Sequence, residues 1–372
     1  MASFRKRGNT WSYSIEAGKI NGKRKRIEKG GFKTKREAES ARAKALEEFE
    51  NGGLIVQSSI SLSDYLDIWF KEYVELNCKY HTVMSYNNAI KQIKKDLGHY
   101  RLKTLTPLII QNFVNNKYKS GLSIGTVKLL NVIFKAALKY AVYPSQLIKI
   151  NPAEHVTTPK VKSNKKVKVI TPDQFNEVME LVKNMKQFRI PFIIGFHTGM
   201  RVSEALGLTW DNIDFDNRII HIKHNLVYKN RKCILATLKT KSSERSIKID
   251  SILTNELIKA KKEQEEFKQH YKEYYYKNSN FVCCYENGKP VIPIALINFC
   301  GNNLKKKGLE FKFNFHMLRH THATMLLEAG ANIKDISARL GHSSISITLD
   351  IYSHITERMQ TDTADMFEKL IK

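Results

Sequence analysis

The sequence predicts a multidomain α+β protein: an N-terminal βββα module, a helical bundle, and a mixed, mainly helical α/β domain. Three observations predict it. Alternating apolar residues near the N-terminus have the period of half-buried strands, and an apolar stripe at helical spacing runs through residues 61–143. A stretch carrying prolines and many lysines then separates these from a region in which both periods occur.

In the first fifty or so residues Trp11, Tyr13 and Ile15 alternate with polar residues. The turn Asn21-Gly22 leads into a strongly basic strand with Lys23, Arg24, Lys25 and Arg26. Thr34 and Glu37 have the form of a capping box, Ala38, Ala41 and Ala45 continue a helix, and Asn51, Gly52 and Gly53 stop it. Basic residues and aromatics interleave on these short strands. That favours a sheet lying on DNA, positive strands toward phosphate, over a merely solvated hairpin.

Leu62, Tyr65, Leu66 and Trp69 then recur at helical spacing behind a cap at Ser61 or Ser63. Further helices are expected from His81 to Leu97 with a stop at Gly98, after Pro107, and from about Thr126 through Tyr140. Four helices with short connections make a compact bundle, its aromatic and leucine stripes forming core. From Asn151-Pro152 through Pro159 to Lys160, Lys162, Lys165, Lys166 and Lys168 the composition is that of an extended connector and a domain boundary. Beyond it Thr171-Pro172 starts a helix, residues 219–226 and 232–249 alternate like antiparallel strands, and about 251–277 reads as a charged helix. Short helices separated by Gly330 and Gly341 follow His316.

Lysine plus arginine number 62 against 36 aspartates plus glutamates, a net charge of +26 spread along 372 residues. Such an excess points to a polyanionic partner. Nucleic acid fits better than membrane, since no apolar run approaches the roughly 20 residues needed to span a bilayer. A hydrophobic content of 42% is that of a folded chain, so disorder does not explain the charge. MASFRKRGNT has no signal-peptide stretch, and five unpatterned cysteines, Cys283 and Cys284 adjacent, suit reduced thiols in a cytosol. No G-x-G-x-x-G or G-x-x-x-x-G-K-[ST] occurs, so neither a dinucleotide nor a nucleoside triphosphate site is indicated.

Six polar side chains followed by a tyrosine carry the chemistry. Arg201 and Glu204 lie three residues apart on a helical segment opening at Gly199; read alone they would be a surface ion pair. Lys239 is expected at or near a hairpin tip, with Lys241 two residues on. His316 and His320, one turn apart, resemble a zinc pair, but the glutamate base and third ligand are missing and Arg319 would repel a cation. His316 and Arg319 instead face one anion. His342 follows Gly341, and Tyr352 comes ten residues later with His354 nearby. Arginines, a lysine and histidines are suited to gripping a phosphodiester, and a tyrosine beside them is a candidate nucleophile.

The strings Thr198-Gly199-Met200-Arg201-Val202-Ser203-Glu204, His316-Met317-Leu318-Arg319-His320 and Leu340-Gly341-His342, with the terminal Tyr352, resemble the signature boxes of the tyrosine recombinase (integrase) family in type, order and spacing. The resemblance implies a division into residues 1–55 as an arm-type DNA-binding-like domain and 60–158 as a helical core-binding domain. A basic linker at 159–169, a catalytic domain at 170–356 of the tyrosine recombinase type, and a C-terminal tail helix at 357–372 complete it. It implies that Tyr352 attacks a scissile phosphate to give a 3′-phosphotyrosine and a free 5′-hydroxyl. Arg201 and Arg319 would clamp the non-bridging oxygens and Lys239, or Lys241, would protonate the leaving oxygen. His316 would assist proton transfer from Tyr352, His342 would bond the phosphate, and Glu204 would orient its neighbours. Because the phosphotyrosine stores the bond energy, no ATP, cofactor or metal is implied. The implied partners are double-stranded DNA at core and arm sites, a homotetramer on DNA, and a DNA-bending accessory protein or excisionase, in a bacterial cytoplasm on the chromosome. In related recombinases the tail packs on a neighbouring subunit, and Met359, Met366, Phe367, Leu370 and Ile371 supply an apolar stripe for it. The competing readings are a non-catalytic DNA-binding regulator and a type IB-like topoisomerase. The arm-binding-like module favours an integrase of a prophage or conjugative transposon, since relaxing supercoils needs no second DNA site.

Overall fold

A computed structural model of the chain describes residues 3–20, 23–50, 60–161, 168–238, 243–276 and 280–342, then 344–346, 348, 349 and 368. The predicted turn at Asn21-Gly22, the predicted helix stop at Asn51, Gly52 and Gly53, linker residues Lys162, Lys165 and Lys166, the lysines Lys239 and Lys241, and Tyr352, His354 and the apolar tail residues lie outside the described residues. The chain divides into two compact units, 1–163 and 164–372.

In the first unit β1 (Ser3–Arg7), β2 (Thr10–Ile20) and β3 (Lys23–Phe32) form an antiparallel sheet in sequence order. Tyr13 and Ile15 are buried as their alternation requires, and Tyr13 stacks on Phe32 with centroids 5.7 Å apart. The pairing of β2 with β3 is irregular at two places, one of them between Glu16 and Lys19. The register shifts between Trp11 and Ser12, so Trp11 is half-buried while Ser12 is buried and donates its hydroxyl to the Arg5 carbonyl at 3.1 Å. Arg5, Lys6, Arg7, Arg26 and Lys29 stand exposed on the sheet. Helix α1 (Lys35–Glu50) opens with the predicted box: Thr34 Oγ1 accepts the Glu37 N–H at 3.1 Å and Glu37 Oε2 accepts the Thr34 N–H at 3.3 Å.

The bundle consists of α2 (Leu62–Trp69), α3 (Tyr80–Leu97), α4 (Pro107–Lys119) and α5 (Ile124–Val142). Ser61 caps α2 by accepting the Asp64 N–H at 3.0 Å, which decides between the two serines. A single π-helical turn, Phe70–Val74, continues α2. Tyr65, Trp69 and Phe134 are fully buried, and burying each such side chain contributes about 1.5–3 kcal/mol. The connector begins later than Asn151. Ala153 and Val156 are buried, Asn131 donates to the Val156 carbonyl at 3.1 Å, and Gln111 both donates to and accepts from the Thr157 backbone at 3.0 Å. Those bonds make residues 151–157 part of the bundle despite Pro152 and their polar character.

The second unit contains α6 (Pro172–Leu181), α7 (Lys186–Thr198) and the short α8 (Val202–Leu206). After these come β4 (Ile213–Asp214), β5 (Ile219–Ile222), β6 (His224–Lys229), β7 (Lys232–Thr237) and β8 (Arg245–Lys248). Strand β5 pairs with β4 and β8, whereas β6 and β7 pair only with each other among the described residues. The tip of the β6–β7 hairpin is Asn230-Arg231, both at positive φ, and Lys239 lies outside the described residues. The charged helix α9 is Ser251–Tyr271, six residues shorter than its charge pattern suggests. Helices α10 (Phe315–Glu328) and α11 (Ile333–Leu340) follow. Helices α7 and α10 approach closely enough that a Cβ on Gly195 would stand 2.7 Å from the Phe315 ring. Phe192, Phe299, Leu318 and Ile220 fill the core beneath the site. No helix among the described residues is long and apolar enough to cross a membrane.

Candidate active site

Two left-handed glycines build the site. Gly199 ends α7 at φ 65°, where a Cβ would meet Leu340 Cδ2 at 2.6 Å, so both backbone and space require glycine there. Gly341 ends α11 at φ 66° and turns the chain so that His342 follows immediately.

Arg201 precedes α8 as its cap residue and is not a helical residue of it, and Glu204 is three residues on inside the first turn. The carboxylate is buried at 2% exposure, so the pair is no surface decoration. Glu204 Oε2 accepts the Arg201 N–H at 3.0 Å and Oε1 accepts from Arg201 Nη1 at 2.7 Å. A third group, absent from the sequence reading, completes the cage: Arg245 Nη2 donates to Glu204 Oε2 at 3.0 Å from the start of β8. Burial works to raise the Glu204 pKa, but the Arg245 guanidinium, its hydrogen bond and Arg201 together hold the carboxyl below its ordinary value.

The C-terminal end of α11 ties the cluster together. Its last carbonyls lack helical partners and carry the negative end of the helix dipole. Three successive ones accept guanidinium N–H groups from three different elements. Arg245 Nε reaches the Arg339 carbonyl at 2.6 Å, Arg319 Nη2 the Leu340 carbonyl at 2.7 Å, and Arg201 Nη2 the Gly341 carbonyl at 3.1 Å. Arg319, buried on α10, also donates to the Gly199 carbonyl at 2.9 Å. Arg339 points the other way, to His322 Nε2 at 3.0 Å and to the Lys248 and His197 carbonyls, locking α11 against α7 and β8.

The histidines share this surrounding. Burial lowers the pKa of His316, and Arg319 and Arg201 lower it further. Burial, then Arg319, Arg201, Arg245 and His316, push His342 down to about 4. His320, its ring perpendicular to that of His316 at 4.6 Å, falls to about 4 by burial and by the charges of His316 and Arg319. His342 Nδ1 lies 2.8 Å from the Thr348 hydroxyl, which is fully buried. Among the described residues no three His, Cys, Asp or Glu side chains gather as a metal site. The structure thus brings Arg201, Glu204, His316, Arg319 and His342 together, and Lys239 and Tyr352 fall outside the described residues. Three guanidiniums against one carboxylate leave a surplus of positive charge beside two neutral imidazoles, an arrangement that suits a phosphate diester.

A sequence signal exists for one of the two missed groups. Arg245 precedes Ile247 and Ile249 at the strand period, which puts it on their buried face. Thr348 carries no comparable local signal.

The description "Phage integrase family" matches residues 168–359, more than half of the chain. The chain belongs to the phage integrase family. The family's N-terminal SAM-like domain matches residues 61–118 and an arm DNA-binding domain matches residues 3–49. This tyrosine recombinase is 30% identical over 371 residues to a tyrosine recombinase XerC-like protein of Caldanaerobacter subterraneus subsp. tengcongensis, covering 94% of this chain and 93% of the relative. It is 26% identical over 348 residues to the ICEBs1 integrase of Bacillus subtilis, with 91% of each covered. Its fold matches that of the Tn1549 transposon integrase in complex with transposon right end DNA, at a TM-score of 0.69 and 22% identity, over 84% of this chain and all of that one. Members of the family break and rejoin DNA, and this recombinase is an enzyme of that class.

Acid is expected to destabilise the free recombinase in a defined window. His320, His322 and His342 have folded pKa values near 4 against an ordinary 6.5, so below 6.5 the unfolded chain binds more protons than the folded one. Stability is full above pH 6.5 and is lost as pH falls toward 4, at up to about 1.4 kcal/mol per pH unit for each ring, less where solvent reaches it. Denaturant unfolding at pH 7.5, 5.5 and 4.5 measures this; a flat midpoint would mean that the three rings titrate normally.

Proposed function

We propose that this recombinase integrates or excises a mobile element, a prophage or conjugative transposon, by cutting and rejoining DNA through a 3′-phosphotyrosine on Tyr352. The observation that carries the reading is the convergence of Arg201, Arg319, His316 and His342 on the two glycine turns. Arg201 and Arg319 clamp the non-bridging oxygens. His316, neutral at pH 7 because its pKa is lowered, is able to accept the Tyr352 proton. Lys239, or Lys241, protonates the departing 5′-oxygen. Glu204 holds Arg201 and stays off the DNA, in keeping with its burial.

His342 donates to the phosphate only if its proton sits on Nε2. In this reading the Thr348 hydroxyl, 2.8 Å from Nδ1, is the donor and so holds that tautomer. Thr348→Val, which keeps shape and removes the hydroxyl, is expected to slow cleavage about tenfold, the value of one charge-assisted hydrogen bond. Thr348→Ser restores it. Equal rates for Val and Ser would leave Thr348 as packing alone.

The domain division proposed is residues 1–55 for arm DNA, 60–158 for core DNA, 159–169 as basic linker, 170–356 for catalysis and 357–372 as tail. The matched arm DNA-binding domain and the exposed Arg5, Lys6, Arg7, Arg26 and Lys29 support the first of these. Residues 1–53 are expected to bind duplex DNA with steep salt dependence, as phosphate contacts dictate, and removing residues before Ser58 should abolish arm-site binding while core-site cleavage survives. Filter binding at 50 and 200 mM salt reads this out; salt-insensitive binding would make the module an appendage. The working assembly is a homotetramer on two duplexes, joined by tails exchanged between neighbours, with a DNA-bending protein or excisionase setting direction. It operates in the bacterial cytoplasm on the chromosome. Sequencing the DNA beside the gene for a short direct repeat identifies the recombination site. A supercoiled plasmid with two such sites then tests the function: partner exchange supports integration, and resealing without exchange would support a type IB-like topoisomerase.

A further inference from the structure

We infer that Arg245 is a positioning residue for strand cleavage: it fixes Glu204 and the end of α11 together, and through them sets Arg201 and the turn bearing His342 around the phosphate. The inference rests on the phosphate-clamp reading above.

Arg245 works from inside the protein, through its internal bonds. Its side chain is 7% exposed. All three guanidinium nitrogens are committed inside the protein. Nε donates to the Arg339 carbonyl at 2.6 Å, Nη1 to the Ser243 carbonyl at 3.1 Å and Nη2 to Glu204 at 3.0 Å. A planar fork with fixed donor directions spans three acceptors in this way, which a lysine ammonium at the end of a flexible stem does not. The guanidinium also packs against the turn that presents His342, since a Cβ on Gly341 would lie 3.0 Å from Arg245 Nη1.

Glu204 is the shared element. Its carboxylate sits between two cations, one buried and structural, the other half-exposed and aimed at the site. Arg245 keeps that carboxylate ionised against its burial, and the ionised carboxylate holds Arg201 by two bonds, one to its backbone N–H and one to Nη1. With Arg245 gone, a buried carboxylate would keep one cation and protonate more readily, loosening Arg201. A misplacement of about 1 Å at a reacting centre costs up to about 10²-fold in rate.

The test uses the full chain and a nicked duplex carrying its recombination site, and measures covalent-adduct rate against pH, DNA affinity and the thermal midpoint. Arg245→Gln is expected to slow adduct formation at neutral pH about tenfold or more, to leave DNA affinity unchanged, and to move the acid limb of the pH profile upward. Arg245→Lys, which keeps a cation beside Glu204, is expected to return the acid limb toward its native position while the rate stays reduced. It carries the comparison if the Gln variant does not fold. In a Glu204→Gln background the further change Arg245→Gln is expected to cost less than in the native chain, because the part of its effect that runs through the carboxylate is already lost. An unmoved acid limb in every folded variant, or an equal loss in both backgrounds, would overturn the proposal and leave Arg245 as a fold-holding group. Failure of the clamp reading itself shows separately, as an Arg201→Lys chain that cleaves at the native rate.

Discussion

Tyr352→Phe is expected to abolish the covalent protein–DNA adduct on a nicked suicide substrate while leaving DNA binding nearly intact. The substitution removes one hydroxyl, and that hydroxyl is the proposed attacking atom. Removing a covalent nucleophile costs on the order of 10⁶ in rate, so the adduct falls below detection. The position of Thr348 supports the choice. Buried and bonded to His342, it brings the chain to the edge of the arginine cluster four residues before Tyr352. Gel retardation and denaturing electrophoresis on one sample read binding and capture together. An adduct of native yield from the Phe chain would remove Tyr352 from the mechanism and direct attention to another nucleophile.

Local rules made most of the fold legible. The Thr34 and Thr171 capping boxes, the Pro107 and Pro172 starts and the Leu62 to Trp69 stripe depend on neighbours within one or two turns, and each forms as its sequence pattern requires. The errors came where distant partners decide. Residues 151–157 look like a connector because their two stabilising partners, Asn131 and Gln111, lie 25 and 46 positions away. The site divides in the same way. Arg201, Glu204, His316, Arg319 and His342 stand in short strings that resemble a known family. Arg245 could be found only by treating a strand-period arginine as buried, against the rule that arginine faces water. Nothing local distinguishes Thr348, whose role depends on a ring six residues earlier.

Arg201→Lys and Arg319→Lys are both expected to reduce cleavage by about 10²–10³ while affecting stability unequally. Each replacement keeps the charge and loses the planar fork that meets two phosphate oxygens at once. Loss of a donor aimed at transition-state charge raises the barrier by about 2.7–4 kcal/mol, which sets the scale. The structural consequences differ because the two side chains carry different internal bonds. Arg319 is buried and joins the Gly199 carbonyl to the Leu340 carbonyl, so it is a strut between the ends of α7 and α11 as well as a proposed clamp. A single ammonium cannot reach both carbonyls from the same stem. A lost hydrogen bond to a charged group costs about 1.5–3 kcal/mol, and the thermal midpoint of Arg319→Lys should fall accordingly. Arg201 is more exposed, and Glu204 retains the Arg201 N–H and Arg245 when the guanidinium changes. Its Lys variant should melt near the native temperature and lose chemistry alone. Single-turnover capture rates at saturating protein, paired with thermal melts, separate the two losses. Native rates in both variants would mean that the clamp is misassigned, and an equal fall in midpoint would show that Arg201 too is a strut.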